Sequence, residues 1–178
     1  MNSVNSVNLK STGLNSVGLK KTLLILNNAL LFLCASMYLG TGWSLLLFSF
    51  PIAPQLTVNN YYMQFVPQVT LATQFFTYMT TLMIILAVVM LIAEWKSALR
   101  WVPIIVLAGI LIATGLTIVV ILPLNDLMSK GITDPVQLKS ILNEWIFLNK
   151  IRVGLWTIQW LSMMVYFAYY VYIAGAEQ

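Results

Sequence analysis

The feature that most restricts the fold of this chain is a run of 28 residues, Leu23 to Phe50, that carries no charged side chain. A helix of that length rises about 42 Å, enough to cross the roughly 30 Å hydrocarbon core of a bilayer. A cleaved signal peptide has an apolar core of only about 7–15 residues, followed by a small-residue cleavage site. The run is therefore predicted to be a retained membrane span.

The composition extends this prediction to the rest of the chain. Hydrophobic residues make up 60% of its 178 residues and charged residues only 8%, whereas soluble domains carry about 25% charged residues. Four apolar stretches predict membrane spans at residues 23–50, 69–92, 102–122 and 151–173. Short connections predict an all-α membrane protein, an antiparallel four-helix transmembrane bundle. Residues 23–173 are predicted to form one membrane domain, with a flexible polar tail at 1–22 and a short C-terminal tail at 174–178.

The residue inventory excludes several kinds of chemistry. The chain has no histidine and a single cysteine, Cys34. Histidine-ligated haem, zinc or copper, an internal disulfide, and Ser-His or Cys-His nucleophile pairs are therefore excluded. The net charge of +4 is small and scattered, which argues against nucleic acid as a partner. No metal or cofactor is expected.

The last third of the chain predicts one unusually long helix. Asp134 can cap a helix and Pro135 suits its first position, and no proline follows. A helix from Asp134 to Tyr172 would contain 39 residues and extend roughly 58 Å. Because this exceeds the bilayer core, the start of this fourth helix is predicted to project outward or to lie along the membrane surface.

One face of this helix combines aromatic rings with hydrogen-bonding side chains. Its members follow at steps of four, three, four and three residues: Trp145, Asn149, Arg152, Trp156 and Gln159. Asn125, in the "PLND" segment after the third span, is predicted to lie at the same mouth of the bundle. These six residues are candidates for binding a planar phenolic or quinone head group, or a lipid phosphate, with the apolar part between helices. In the alternative, Arg152 pairs with Asp126 and only anchors the helix end.

Small residues spaced by four predict where helices approach closely. The first and third spans each carry such a stripe, with the members Ser36, Gly40 and Ser44, and Gly109, Ala113 and Thr117. The second span repeats threonine at Thr73, Thr77 and Thr81, beside Gln74. These threonines are interpreted as helix contacts, and a polar wall lining a cavity is the alternative.

The basic residues predict the orientation. With the N-terminus in the cytoplasm, five basic residues lie inside and four outside, and the loop after the first span carries no charge. The chain is therefore predicted to be a multi-pass protein of the cell (inner) membrane with both termini inside. Tyr61 and Tyr62, which follow the first span, are predicted to lie in an interfacial aromatic belt.

Three short motifs resemble those of a known family. They are a glycine-containing first span leading to "FPIAPQL" (Gly40, Gly42, Pro54 and Leu56), "LPLN" at the end of the third span, and the series Trp145, Asn149 and Arg152. Over residues 25–172 the chain resembles the small four-span membrane proteins grouped with fungal anthrone oxygenases, most of whose bacterial members have no assigned function. The resemblance implies cofactor-independent oxidation of a phenolic anthrone by oxygen. Many relatives carry His at the position of Asn149, and Asn can orient a substrate but cannot act as a base.

Three classes of function remain open. They are an oxygenase acting on an apolar aromatic substrate, a non-catalytic protein that binds a lipid or quinone or serves as a membrane subunit, and a transporter. A transporter is disfavoured because no inverted repeat and no mid-span carboxylate is evident. An oxygenase needs a base, and only Asp126 and Glu144 lie near the mouth, where both are expected to be solvated. The leading prediction is the non-catalytic protein, with the lipid bilayer, a small apolar, quinone-like or lipid ligand and another membrane protein as expected partners.

Overall fold

The computed structural model describes the backbone from Val4 to Ala176 and the side chains of residues 18–173, 175 and 176. Within that part, all regular secondary structure is helical. The helices are α1 (Val4–Ser44), α2 (Phe50–Ile52), α3 (Tyr61–Glu94), α4 (Trp101–Leu116), α5 (Leu122–Ser129) and α6 (Pro135–Ala176). Three helical segments are long and apolar enough to cross a membrane, namely Gly18–Gln55, Tyr61–Glu94 and Trp101–Ser129.

α6 is the long helix expected after Asp134. It begins at Pro135, and Asp134 Oδ1 accepts a hydrogen bond from the Val136 backbone N–H at 2.9 Å, which stabilises the first turn. Its 42 residues extend about 63 Å. The predicted fourth span, residues 151–173, lies within α6, which is not among the three segments that qualify in the described part of the chain. Its amide, basic and tyrosine side chains lower its hydropathy.

α1 begins earlier than expected. The polar segment 1–22 is predicted to be a flexible tail, but α1 starts at Val4, and residues 1–3 lie outside the described residues. Adding a residue to an existing helix costs far less than starting a new one, and no proline interrupts the segment. α1 therefore runs through most of it. At the other end, α6 continues to Ala176, and the last two residues of the predicted tail 174–178 lie outside the described residues.

The first and third spans are predicted to end at residues 50 and 122, just before Pro51 and Pro123. In the structure, the helical path continues past both prolines. A π-helical turn, Leu45–Ser49, precedes Pro51, and a second, Thr117–Ile121, precedes Pro123. Proline has no N–H, and its ring clashes with the carbonyl four residues earlier. A π turn moves the hydrogen bonding to the fifth residue and so relieves both problems. Each π turn ends two residues before its proline, and the helical path continues past both.

The connection after the first span is shorter than expected. Residues 51–68 are predicted to form a loop, but α3 already begins at Tyr61 and contains Pro67. Tyr61 is buried rather than interfacial. Its hydroxyl donates to the Met128 carbonyl at 3.1 Å and accepts the Ile132 N–H. These contacts tie the start of α3 to the end of α5 and hold it in helical structure there.

The four long helices pack in a ring. α1 contacts α3 and α6, and α4 contacts the same two helices. Exposed apolar side chains such as Phe48, Ile92 and Val119 cover the outside. The buried polar side chains, among those described, are Asn28, Glu94, Asn149, Gln159 and Ser162. This distribution reverses that of a soluble protein and suits contact with lipid.

α1 approaches α6 through a different glycine from the predicted one. Gly40 is exposed, with nothing within 4 Å of an added Cβ, and Ser44 is exposed as well. At Gly42, in contrast, a Cβ would lie 2.7 Å from the Trp156 ring and 3.0 Å from Val153. Two residues along a helix correspond to a rotation of about 200°, so the two glycines face opposite sides. Which side faces α6 depends on the rotation of α1, which spacing alone does not determine.

The other predicted packing residues lie in the interior or at its edge. Ser36 Oγ accepts a hydrogen bond from Trp160 Nε1 at 3.0 Å, which joins α1 to α6. Ala113 is buried and Thr117 is partly buried. The Thr117 hydroxyl donates to the Ala113 carbonyl at 2.7 Å, so its polar group is satisfied within its own helical segment.

Among the described residues, the three repeated threonines of α3 form no hydrogen bond to another helix. Thr73, Thr77 and Thr81 each donate to the backbone carbonyl four residues earlier in the same helix. Thr77 and Thr81 are exposed, whereas Thr73 and Gln74 line a groove. The interpretation as helix contacts is therefore wrong, and the alternative, a polar wall, applies to Thr73 and Gln74.

Candidate functional site

The polar face of α6 points into the protein. Trp145, Asn149, Trp156 and Gln159 are only 7%, 1%, 5% and 1% exposed, and Arg152 is partly buried. Trp145 belongs to an apolar cluster around α5, and Trp156 belongs to another between the long helices. Asn149 and Arg152 therefore form a polar layer between two apolar regions.

A continuous chain of hydrogen bonds runs along this face. Trp145 Nε1 donates to Asn125 Oδ1 of α5 at 2.9 Å. Asn149 Nδ2 donates to the Trp145 carbonyl at 2.8 Å, and Asn149 Oδ1 accepts a bond from Arg152 Nη1 at 2.9 Å. Both ends of the Asn149 amide are thus used, and the guanidinium of Arg152 is held in one orientation. The structure therefore brings four of the six candidate residues into one network.

Arg152 lies over an aromatic platform. Its guanidinium carbon is 4.6 Å from the centroid of the Trp156 ring, within the range of a cation–π interaction. The Trp156 ring packs on Tyr38 of α1, with 4.9 Å between centroids. The Tyr38 hydroxyl donates to the Phe76 carbonyl at 3.1 Å and contacts the Thr80 hydroxyl. Tyr38 therefore joins α1, α3 and α6 beside the site, a role that no sequence pattern indicates.

Two buried donors on this face have no acceptor among the described residues. Arg152 Nε and Gln159 Nε2 are buried and make no hydrogen bond with any described residue. Gln159 lies against Gly109 of α4, where a Cβ would be 2.8 Å from Gln159 Cγ and 3.0 Å from Cδ. Glycine at that position makes the room that the Gln159 side chain occupies. A buried donor without an acceptor lowers the stability of the fold by about 1–3 kcal/mol. An acceptor group placed next to either donor would therefore stabilise the α6 face.

Arg152 has no carboxylate partner among the described side chains. Asp126 pairs instead with Lys130, and the distance between Lys130 Nζ and Asp126 Oδ2 is 2.6 Å. The side chain of Lys130 is 67% exposed and that of Asp126 is 62% exposed. No other ion pair forms among the residues that the structure describes. The alternative pairing of Asp126 with Arg152 is therefore wrong. Lys130 lies four residues from Asp126, a spacing that places two helical side chains side by side.

A groove opens between α3 and α5. It encloses about 220 Å³ and has an apolar wall that includes Phe65 and Leu122. Its polar lining consists of Thr70, Thr73, Gln74, Asn125, Asp126 and Ser129. Phe65 packs edge-on against Trp145, with 4.7 Å between centroids, and Asn125 accepts the Trp145 Nε1–H. The groove therefore lies next to Trp145, the first residue of the α6 polar face.

A second cavity of about 300 Å³ lies between residues 53–58 and the start of α6. Its walls are mainly apolar, with Leu56, Leu138 and Leu142 among them, and Lys139 is its one charged residue. None of the six candidate residues lines it, so it is separate from the polar face.

A buried carboxylate network lies away from this site. Glu94, the last residue of α3, is 4% exposed and accepts hydrogen bonds from the Tyr166 hydroxyl at 2.7 Å and the Tyr170 hydroxyl at 3.1 Å. Asn28 Nδ2 donates to the Tyr166 oxygen at 2.8 Å, and Asn27 Nδ2 donates to Asn28 Oδ1 at 3.1 Å. The network links α1, α3 and α6. Its one sequence signal is the spacing of Tyr166 and Tyr170 by four, which places them on one helix face.

Comparisons with protein-family models, with curated proteins and with solved structures find no match for this chain. The resemblance to the anthrone-oxygenase group stays a prediction from short motifs. Three residues of those motifs, Trp145, Asn149 and Arg152, belong to the hydrogen-bonded α6 face.

Proposed function

We propose that this chain is a multi-pass protein of the cell membrane that holds a small lipid-like or aromatic molecule between its helices. In this proposal four spans form an antiparallel bundle, with α6 as the fourth and both termini in the cytoplasm. The ring packing of the long helices supports it, as does the apolar surface that α6 turns outward at Ile158, Leu161 and Val165. The polar end of the ligand binds Arg152 at the outer mouth, and its apolar part lies along Trp156.

The observation that carries this proposal is the pair of unused donors on the α6 face. Nearly all buried polar groups in proteins find a partner, yet Arg152 Nε and Gln159 Nε2 have none among the described residues. An oxygen atom of a ligand would supply the missing acceptor. The two residues are seven positions apart, which corresponds to about 10 Å along the helix axis. Trp156 lies between them in the sequence. An elongated molecule with an oxygen-bearing head suits this arrangement.

The groove between α3 and α5 supports entry of the ligand from the bilayer. The polar side chains of Thr73 and Gln74 line this groove, which favours an amphiphilic occupant over a hydrocarbon chain alone. Trp145 separates the groove from Arg152, since it contacts the groove residue Asn125 on one side and Asn149 on the other. In this proposal Trp145 is the barrier that the ligand passes.

An oxygenase of the anthrone type gains no support from this site. Asn149 occupies the position at which many members of that group carry His, and both ends of its amide are already hydrogen-bonded. Asp126 is exposed and paired with Lys130. The five residues of the α6 face include no side chain that can serve as a general base. A non-catalytic binding protein or membrane subunit is therefore the function that the face supports best.

The test is to identify the molecule that copurifies with the protein. Organic extracts of the detergent-purified wild type, Arg152→Gln and Lys150→Gln are compared by mass spectrometry. Lys150 is an exposed cation two residues from Arg152, so its variant controls for a general loss of positive charge. We expect one species to be enriched with the wild type and Lys150→Gln and depleted with Arg152→Gln. Equal amounts with all three proteins would contradict the proposal.

A further inference from the structure

We propose that the ligand of the α6 face carries a negatively charged oxygen, as a carboxylate or a phosphate, rather than only neutral carbonyl or hydroxyl groups. This chemical class rests on the proposed function and specifies the molecule that the same site binds. Charge balance and hydrogen-bond direction around Arg152 both lead to it.

No described side chain of the protein balances the charge of Arg152. Its hydrogen-bond partner Asn149 and its stacking partner Trp156 are both neutral. Among the side chains described, no carboxylate lies within 4 Å of the guanidinium. A cation enclosed between helices without a counter-charge is costly, and the ring of Trp156 recovers only part of that cost. A neutral ligand would leave the charge unbalanced, whereas an anionic ligand balances it.

The direction of the hydrogen bonds favours the same class. The Asn149 oxygen already accepts from Arg152, and the Asn149 N–H already donates to the Trp145 carbonyl. In the part of the chain that the structure describes, the two buried atoms left without a partner, Arg152 Nε and Gln159 Nε2, are both donors. An ionised carboxylate only accepts hydrogen bonds, whereas a hydroxyl needs an acceptor for its own proton. A guanidinium also binds carboxylate and phosphate oxygens through two parallel N–H groups.

The depth of the site indicates how such an anion reaches it. Arg152 lies between two apolar clusters, one containing Trp145 and the other containing Val153 and Trp156. A free inorganic anion would have to leave water for this environment, which carries a large desolvation cost. An anion attached to an apolar chain recovers that cost by burying the chain. A fatty acid and an anionic phospholipid share this chemistry.

The test compares acidic probes with matched neutral ones. Purified protein, stripped of bound lipid in detergent, is titrated with oleic acid against methyl oleate and with dioleoyl phosphatidic acid against dioleoylglycerol. Binding is measured by native mass spectrometry. We expect at least one acid to bind about tenfold or more tightly than its neutral partner, as is typical of a hydrogen bond to a charged group. The pair with the larger ratio distinguishes a fatty acid from a phospholipid as the source of the anion.

Variants assign this preference to the site. Arg152→Gln is expected to bring the ratio of acid to neutral affinity close to one, whereas Lys150→Gln leaves it unchanged. Gln159→Met removes the second donor at similar side-chain volume and is expected to weaken binding of the preferred acid severalfold. If Arg152→Gln does not fold, the wild-type ratio and Gln159→Met still test the inference.

Equal affinity of the wild type for acidic and neutral probes would overturn the inference, as would a preference that Arg152→Gln retains. Menadione, a neutral aromatic quinone, separates this failure from failure of the proposed function. Binding of menadione that depends on Arg152, without any preference for acids, overturns the anionic class and leaves the proposed function standing. If no probe binds in a manner that depends on Arg152, both fail.

Discussion

A Cβ atom at Gly42 of α1 would lie 2.7 Å from the ring of Trp156 on α6. The same ring supports the guanidinium of Arg152, which lies 4.6 Å from its centroid. A close helix contact and the candidate site therefore share one side chain. Packing at Gly42 helps to determine where Arg152 lies.

Gly42→Leu is expected to lower the free energy of unfolding by about 1–3 kcal/mol, because the added atoms must displace the Trp156 ring or separate the helices. Gly40→Leu adds the same atoms two residues away, where nothing lies within 4 Å, and is expected to change stability by less than about 0.5 kcal/mol. Thermal unfolding and folded yield in detergent measure both. Equal losses for the two variants would mean that α1 does not meet α6 through Gly42.

Tyr166→Phe removes a hydroxyl that donates to Glu94 and accepts from Asn28. Because both partners are buried, we expect a loss of about 1–3 kcal/mol in unfolding free energy. Tyr169→Phe is the matched control, since Tyr169 is exposed and should tolerate the change within about 0.5 kcal/mol. If the two variants unfold alike, the Glu94 network contributes no net stability.

Asp126→Asn breaks the ion pair with Lys130, in which both side chains are largely exposed. Such pairs contribute about 0–1 kcal/mol and are screened by salt. We therefore expect a decrease of less than about 1 kcal/mol at low ionic strength, and no difference from the wild type at about 1 M salt. A larger loss that persists in salt would show that Asp126 has a second, buried partner.

The proposed crossing of α6 predicts that its two ends lie on opposite sides of the membrane. Ser140 and Gly175 are exposed near those ends. In a Cys34→Ala background, Ser140→Cys should react with a membrane-impermeant maleimide in intact cells. Gly175→Cys should react only in inside-out vesicles. Labelling of both positions from the same side would rule out the four-span bundle.

The long apolar runs and the start of α6 could be predicted because each depends on local sequence. An uncharged run long enough to span a bilayer needs no information about its neighbours, and Pro135 after Asp134 is a local signal for a helix start. The periodicity of the α6 face was informative for the same reason. Its residues share one side of a helix whatever packs against them, and four of the five are at least 93% buried.

The features that could not be predicted depend on partners far away in the chain. The choice of Gly42 over Gly40 as the contact with α6 depends on the rotation of α1 against Trp156, 114 residues later. The partner of Glu94, Tyr166, is 72 residues away. The π turns before Pro51 and Pro123 were missed for another reason. A proline normally ends a helix. The residues next to a proline do not indicate whether packing against other helices will keep the helix continuous through a π turn.

The most direct test of a ligand site at Arg152 is the unfolding temperature of lipid-stripped protein, with and without the lipid extract of the wild type. The stripped Arg152→Gln protein should unfold at a temperature no lower than the stripped wild type, because the partly buried guanidinium has no counter-charge among the described residues. Adding the extract should raise the unfolding temperature of the wild type but not that of Arg152→Gln, since a ligand stabilises only a protein that binds it. A stripped variant that is clearly less stable than the wild type, with equal shifts on adding the extract, would show that Arg152 is structural and would contradict a binding role.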